Sequence, residues 1–213
     1  SYTIDANTQQ QILAATVHIT LFAPLTDGQG NPQYVMVDGQ QAIQYTVGEG
    51  LGTLTRAGAD VFIVTHDHWS LLTANLTKVQ FHSVANELLL EVSGAAFQEM
   101  MRYRDGGTMF LNVTNELTGR LTAVPAGDSR SVGKNDTVYL AYRQPDDGEI
   151  GVAAMVIKKE TTYKEQSVFR LTSFNDEFVV DGNSGGGVLV DGRLIGNMWG
   201  TILEQELSRT ISE

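Results

Sequence analysis

Residues 181–190 read Asp-Gly-Asn-Ser-Gly-Gly-Gly-Val-Leu-Val, and they form the most informative stretch of the sequence. Ser184 stands among glycines directly before an apolar run. Because glycine adopts backbone conformations that are closed to other residues, a tight turn here can expose the Ser184 hydroxyl. Consecutive backbone N–H groups in such a turn can point at one spot, as an oxyanion hole requires. The stretch predicts a reactive serine, although a glycine-rich hairpin with an incidental serine fits the same residues.

Outside this stretch, the chain reads as short strands separated by turns. Val17, Ile19 and Leu21 alternate with polar residues, which is the period-two pattern of a half-buried strand. Many short strands at this spacing predict an all-β sandwich or barrel. Further β-rich runs lie at 34–37, 42–47, 61–65, 109–113, 138–142, 152–157, 168–172 and 188–190.

Two stretches instead have the apolar spacing of helices. Residues 95–103 predict one short helix, and residues 202–211 predict a C-terminal helix. The apolar residues that fall near one face of this second helix are Ile202, Leu203, Leu207 and Ile211. The polar stretch 115–127 is the best internal boundary, because it divides the strands into two roughly equal sets.

The composition narrows the possible functions. The 213 residues contain no cysteine, so neither a disulfide nor a thiolate nucleophile is expected, and a bacterial protein inside or outside the cell is compatible with this. The 25 Asp and Glu residues outnumber the 14 Lys and Arg residues, which gives a formal net charge of −11. A field of this sign repels phosphate backbones and anionic lipids, so we expect neither nucleic acid nor a membrane as a partner.

A second segment of interest ends an apolar run with two histidines. Residues 62–69 read Phe-Ile-Val-Thr-His-Asp-His-Trp, which places His66 and His68 at the end of a predicted strand. Histidine exchanges protons near neutral pH, so one of the two could activate a serine hydroxyl. Residues two apart on a strand share a face, so the other histidine would lie close by. Taken alone, the segment also fits strand-end histidines that are merely exposed or satisfied by hydrogen bonds.

Together, these motifs resemble the chymotrypsin-like serine proteases, and among them the high-temperature-requirement (Deg-type) branch. Three motifs in the family's order carry the resemblance: Gly-Leu-Gly-Thr-Leu at 50–54, Ile-Val-Thr-His-Asp-His at 63–68 and Gly-Asn-Ser-Gly-Gly at 182–186. After the serine, residues 188–196 resemble the family's strand–turn–strand, and Met-Trp-Gly at 198–200 resembles the segment that lines its substrate cleft.

The resemblance implies a fold and an activity. The fold is a single trypsin-like peptidase domain over residues 1–213, all-β, with two six-stranded antiparallel β-barrels and a short C-terminal helix. Its expected parts are an N-terminal barrel over about 8–115, a C-terminal barrel over about 128–201 and the helix over about 202–211. The implied activity is that of a serine endopeptidase, which cleaves a peptide or protein substrate through an acyl-enzyme and needs no cofactor or metal.

The resemblance also implies the roles of the catalytic residues. Ser184 is the expected nucleophile, and counting two residues on from Thr65 makes His68 the expected base, with His66 as the alternative. The family's acid stands directly before an apolar strand, so Asp105 is expected to orient the histidine. Two glycines separate Asp105 from that strand, and a β-bulge could absorb them. The N–H groups of Gly182 and Ser184 are the expected oxyanion hole.

Activation and substrate preference follow from positions near the serine. In the digestive branch, the residue before the nucleophile is an aspartate that pairs with a new N-terminal amine, whereas Asn183 stands here. We therefore expect no N-terminal zymogen activation. By resemblance, Phe178 lies at the base of the primary pocket, where it would favour small or medium aliphatic residues or instead turn into the core. Trp199 and Gly200 are expected to line the substrate cleft.

Two other functions fit parts of the sequence. A metal-dependent hydrolase could use the His-x-His spacing of His66 and His68 with Asp67 between them, since Zn²⁺ takes about four such ligands. This alternative leaves the Gly-Asn-Ser-Gly-Gly motif unexplained. A non-catalytic binding module on a protease fold is the other alternative, because a fold does not guarantee activity. The unusual surroundings of Asp105 favour it, and the intact Ser184 and His68 argue against it.

Overall fold

The computed structural model describes residues 3–144, 146–174, 183–202 and 205–210, with the backbone alone at residues 73, 200–202, 205–207 and 209. Its helices are α1 (Ala6–Ala15), α2 (Gly94–Met100) and α3 (Asn115–Thr118), with 3₁₀ turns at Ser70–Thr73 and Ser129–Ser131. Its strands are β1 (Thr16–Pro24), β2 (Tyr34–Val37), β3 (Gln40–Ile43), β4 (Tyr45–Ala57), β5 (Asp60–Thr65), β6 (Lys78–Ser83), β7 (Leu88–Ser93), β8 (Met101–Asp105), β9 (Thr108–Asn112), β10 (Val124–Pro125), β11 (Thr137–Arg143), β12 (Ile150–Tyr163), β13 (Gln166–Ser173), β14 (Gly187–Val190), β15 (Arg193–Ile202) and β16 (Gln205–Thr210). Strands dominate the described chain, which confirms the predicted all-β class.

The first sheet contains the strands of the N-terminal half. Its order is β7-β6-β1-β4-β5-β9-β8, and β10 pairs with β4 as an additional, parallel strand. The hairpin β2–β3 forms a separate two-stranded sheet. In the described residues this first sheet is an open path of strands, so the prediction of two closed six-stranded barrels is not confirmed for this half.

The second sheet closes into a six-stranded barrel with the order β11-β12-β13-β16-β15-β14. The prediction of a C-terminal helix over 202–211 is wrong, because residues 205–210 form β16. This strand pairs with β13 on one side and β15 on the other, and it thereby completes the barrel. Pairing on both sides satisfies the backbone of this segment, and tertiary pairing of this kind overrides a weak helical pattern.

Three apolar cores lie among the described residues. One lies in the first sheet around Ile19 and Phe81, and one lies inside the barrel of the second sheet around Leu140 and Phe169. The third joins the two halves, and it combines Leu51 from the first sheet with residues of the second. This third core lies under the candidate site and fixes the two halves against each other.

The N-terminal helix α1 covers this third core and is not among the helices predicted from the sequence. Asp5 caps α1 by accepting hydrogen bonds from the backbone N–H groups of Asn7 and Thr8 at 2.8 and 3.2 Å. Such a cap contributes about 1 kcal/mol. On the opposite face, Ile12 and Ala15 are buried in the core.

The predicted helix over 95–103 is shorter than expected, because the chain turns into β8 at Met101. Ser93 caps the helix with its hydroxyl oxygen, which accepts a hydrogen bond from the Ala96 N–H at 3.1 Å. None of the helices in the described part of the chain is long and apolar enough to span a membrane.

Candidate active site

The turn that carries Ser184 is held by backbone hydrogen bonds to both halves of the molecule. The Leu51 N–H of β4 donates to the Ser184 carbonyl oxygen at 2.9 Å, and the Gly185 N–H donates to the Met198 carbonyl oxygen of β15 at 2.8 Å. Gly185 has a φ of +93°, and a Cβ there would clash with the Leu51 carbonyl oxygen and Thr65. Only glycine fits this position, which explains the first glycine after the serine.

The histidine segment lies against this turn. Thr65 ends β5, and its hydroxyl donates to the Leu51 carbonyl oxygen at 2.7 Å. A Cβ built on Gly50 would lie 2.9 Å from both the His66 Nε2 and the Ser184 carbonyl oxygen. The structure therefore brings the serine turn and the histidine segment together around Gly50, as the order of the motifs predicts.

His66 is the buried member of the histidine pair, with a relative exposure of 2%. Its Nδ1 accepts a hydrogen bond from the His68 backbone N–H at 3.3 Å, which assigns the ring proton to Nε2 in the neutral form. This Nε2 has no hydrogen-bond partner within the described residues. Burial, and secondarily the charge of His68, lowers the pKa of His66 well below its ordinary value, so the ring is neutral.

His68 is the exposed member of the pair, and its ring centre lies 4.2 Å from that of His66. Partial burial lowers the pKa of His68, and the positive charge of Lys164 lowers it further. The charge of Asp67 and a hydrogen bond to the Trp199 backbone oppose this by raising the pKa. A histidine with a lowered pKa is a free base at neutral pH, as proton abstraction from a serine requires.

Asp67 lies between the two histidines and is fixed by the start of β9. Its Oδ1 accepts a hydrogen bond from the Gly107 N–H at 2.8 Å, and its Oδ2 lies 3.6 Å from the Arg104 Nε. Its side chain has a relative exposure of 13%. From the sequence, Asp67 was expected only as a metal ligand. The position of Asp67 between two histidines is the feature of the sequence that indicates an electrostatic effect on His68.

Asp105 lies on the neighbouring strand rather than at the start of β9. Gly106 and Gly107 have φ values of +37° and +113°, and they form the two-residue turn of the β8–β9 hairpin. The expected β-bulge is therefore a hairpin turn, and Asp105 pairs across it with Thr108. The Asp105 carboxylate is exposed and accepts a hydrogen bond from the Tyr103 hydroxyl at 3.0 Å.

A buried hydrogen-bonded bridge joins the two halves beside the histidines. The Thr108 hydroxyl donates to the Asn197 Oδ1 at 2.9 Å, and the Asn197 Nδ2 donates to the Gly107 carbonyl oxygen at 2.8 Å. Both side chains are buried, so the bridge is shielded from water. It fixes β15, and with it Trp199, against the start of β9.

Trp199 forms a wall next to His68. Their ring centres are 6.5 Å apart, and the Trp199 ring also meets Tyr163 edge-on at 5.2 Å. A Cβ on Gly107 would lie 3.2 Å from the indole, so this glycine lets the first sheet approach it closely. Gly200 continues β15 with its backbone, where it pairs with Leu207. Gly182 and Phe178, the expected oxyanion and pocket residues, lie outside the described residues.

No group of three or more His, Cys, Asp or Glu side chains is placed to hold a metal ion among the residues that the structure describes. In particular, His66 uses its Nδ1 to accept the His68 N–H, and Asp67 points its Oδ1 at Gly107. The metal-hydrolase alternative therefore receives no support from the described geometry.

Comparisons with known proteins address the fold. The HtrA-type protease AlgW with a decapeptide matches at a TM-score of 0.62 and 13% identity, over 94% of this chain and 62% of that one. AlgW with a tripeptide matches at a TM-score of 0.59 and 12% sequence identity, over 94% of this chain and 57% of the AlgW chain. The active form of the Rv3671c protease from M. tuberculosis matches at a TM-score of 0.60 and 15% sequence identity, over 99% of this chain and 87% of that chain.

These matches show that the chain has the trypsin-like fold of the HtrA-type proteases, as the motifs predicted. The chain spans less than two thirds of the length of the AlgW structures. No protein-family model matches the sequence, and no curated protein sequence matches it either.

Proposed function

We propose that this protein is a serine endopeptidase in which Ser184 is the nucleophile and His68 is the general base. The observation that supports this most strongly is the packing around Gly50, where the Ser184 backbone and the histidine segment meet. The hydrogen bonds from Leu51 and to Met198 fix the serine turn from both sides. The turn that carries the proposed nucleophile is therefore ordered before a substrate binds, which lowers the ordering cost of the reaction.

In the proposed reaction, neutral His68 takes the proton of the Ser184 hydroxyl as its oxygen attacks the substrate carbonyl. The imidazolium then gives this proton to the leaving amine, and the acyl-enzyme remains. Water attacks the acyl-enzyme in the second half of the reaction, with His68 again acting as base. The lowered pKa of His68 supports this role, because the ring is unprotonated when the reaction begins.

Two acids are proposed to assist His68 in different ways. Asp67 stabilises the imidazolium through its charge, as the pKa of His68 indicates. Asp105 remains the acid that the family resemblance proposes for orienting the ring. The exposure of Asp105 and its place on β8 differ from the buried position that such an acid usually occupies.

The oxyanion is proposed to bind the N–H groups of Gly182 and Ser184. Asn183 is fully buried between them, and its neutral amide needs no buried cation as a partner. Its side-chain oxygen already accepts the Arg143 N–H at 2.6 Å. This local hydrogen bond supports the proposal that the turn orders without N-terminal activation cleavage.

The proposed substrate is a peptide segment that lies along Trp199 and Gly200. The matching AlgW structures were solved with a decapeptide and with a tripeptide, and peptide binding by proteins of this fold is consistent with a peptide substrate here. Phe178 is proposed at the base of the primary pocket, where an aromatic side chain leaves room for small or medium aliphatic residues.

The function is tested by incubating the protein with a fluorophosphonate probe and with an unstructured protein substrate. We expect one equivalent of probe to bind and the substrate to be cleaved, and we expect Ser184→Ala to abolish both. Ser131→Ala, at an exposed serine, is the matched control and should change neither. Folded protein that neither binds the probe nor cleaves any substrate would instead be the non-catalytic binding module.

A further inference from the structure

A long hairpin of the barrel in the second sheet reaches the candidate active site. Strands β12 and β13 run to a tip at Lys164 and Glu165, which have φ values of +48° and +65°. Just before the tip, Tyr163 packs edge-on against Trp199. Just after it, the Gln166 side chain covers Gly106, where an added Cβ would lie 3.1 Å from its Cγ. The hairpin tip therefore contacts both Gly106 of the first sheet and Trp199 of the second, and Trp199 lies next to His68.

The tip carries an exposed cation. The Lys164 ammonium lies 5.5 Å from the centre of the Tyr163 ring, and the same ring meets Trp199 edge-on. It is close enough to His68 for its charge to affect that ring. No carboxylate lies within 4 Å of the Lys164 ammonium in the part of the chain that the structure describes. Because Lys164 has no ion-pair partner among the described residues, its charge is available to a ligand.

From this placement we propose that Lys164 recognises an acidic side chain of the substrate, an Asp or a Glu that lies along Trp199 close to the scissile bond. The inference rests on the proposed peptidase function and names its substrate class. Tyr163 contacts both Lys164 and Trp199, so a peptide that lies along Trp199 would lie near the Lys164 side chain. The protein's formal charge of −11 repels acidic peptides at long range, so the selection is local to Lys164.

The preference is measured with peptides that differ only in having Glu, Gln or Lys at one of the four positions before the scissile bond. We expect kcat/KM at one of these positions to be about three- to fivefold higher for Glu than for Gln, since an exposed ion pair contributes at most about a factor of five. Raising the salt concentration from 0.05 to 0.5 M should reduce this ratio.

Three variants assign the preference to the hairpin tip. Lys164→Gln should make the Glu and Gln peptides equal, and Lys164→Glu should make the Lys peptide the better substrate. Lys158→Gln is the matched control, because Lys158 is exposed on the same hairpin but about 20 Å along the strand. A Glu preference that survives in Lys164→Gln, or no preference at any position, would overturn the proposal.

The same peptides separate this inference from the proposed function. If the fluorophosphonate probe labels the protein, the kinetic comparison decides. If it does not, the Kd values of the Glu and Gln peptides for the Ser184→Ala variant decide, because binding needs no reaction. Tighter binding of the Glu peptide that is lost with Lys164→Gln supports recognition by Lys164. Equal binding, or no binding of either peptide, contradicts it.

Discussion

The backbone N–H of Arg143 donates a hydrogen bond of 2.6 Å to the side-chain oxygen of Asn183, the residue before Ser184. This bond ties the end of β11 to the serine turn. The Arg143 guanidinium contacts the His18 Nε2 at 2.8 Å across the boundary between the two halves. Beside this contact is a pocket of about 260 Å³, which both halves line. The serine turn is therefore anchored through Arg143 to the first sheet.

Asn183→Ala should weaken both the fold and the active site. The variant removes the acceptor of the Arg143 N–H, and an unpaired buried group of this kind costs about 1–3 kcal/mol. We expect the free energy of unfolding in urea to fall by that amount and the rate of fluorophosphonate labelling to fall with it. Asn112→Ala, at an exposed asparagine, should stay within about 0.5 kcal/mol of the wild type. Equal stability of both variants would mean that the turn does not depend on this bond.

Removing the charge of Asp67 and removing the charge of Lys164 should move the acid limb of the pH profile of labelling in opposite directions. Asp67 raises the pKa of His68, so Asp67→Asn lowers it and keeps the ring neutral to a lower pH. Lys164 lowers the same pKa, so Lys164→Gln raises it and moves the acid limb to higher pH. The NMR titration of the His68 Cε1–H measures both shifts directly. Shifts of the same sign in both variants would refute the assignment of these two charges.

The role of Asp105 is tested by its removal. Loss of a triad acid lowers the rate by about 10⁴ in an enzyme of this mechanism, because the histidine then takes the wrong tautomer. We expect Asp105→Asn to slow labelling by orders of magnitude. Tyr103→Phe is the control, since it removes the hydroxyl that donates to Asp105 and keeps the carboxylate. Labelling within threefold of the wild type in Asp105→Asn would exclude Asp105 as the orienting acid.

Gly50→Ala should disrupt the site although it replaces no titratable residue. The added Cβ would lie 2.7 Å from the Trp69 ring and 2.9 Å from the His66 Nε2 and the Ser184 carbonyl oxygen. Overpacking of this kind costs about 1–3 kcal/mol, and it moves the two segments apart. We expect a lower midpoint of urea unfolding and slower labelling. Gly133→Ala, where no atom lies within 4 Å of the added Cβ, should leave both unchanged.

The sequence predicted what depends on local pattern and motif. The strands at 34–37 and 61–65 follow from β-branched and aromatic residues, and the structure has strands there. The close approach of Ser184 to the histidine segment follows from motif order. Residues 205–210 form a strand because their backbone pairs with β13 and β15. A local sequence pattern cannot show this pairing, because the partner strands are distant in the chain. The hairpin that separates Asp105 from β9 likewise depends on how Gly106 and Gly107 turn.

The central claim, that Ser184 attacks while His68 takes its proton, is tested most directly by site-resolved fluorophosphonate labelling. Mass spectrometry of the digested protein should find the probe on Ser184. His68→Ala should slow labelling by at least about 100-fold, since general base catalysis contributes about 10²–10⁴. His66→Ala should retain most of the labelling, because the spacing from Thr65 assigns the role of base to His68. Probe on another residue, or labelling that survives in His68→Ala and is lost in His66→Ala, would contradict the account.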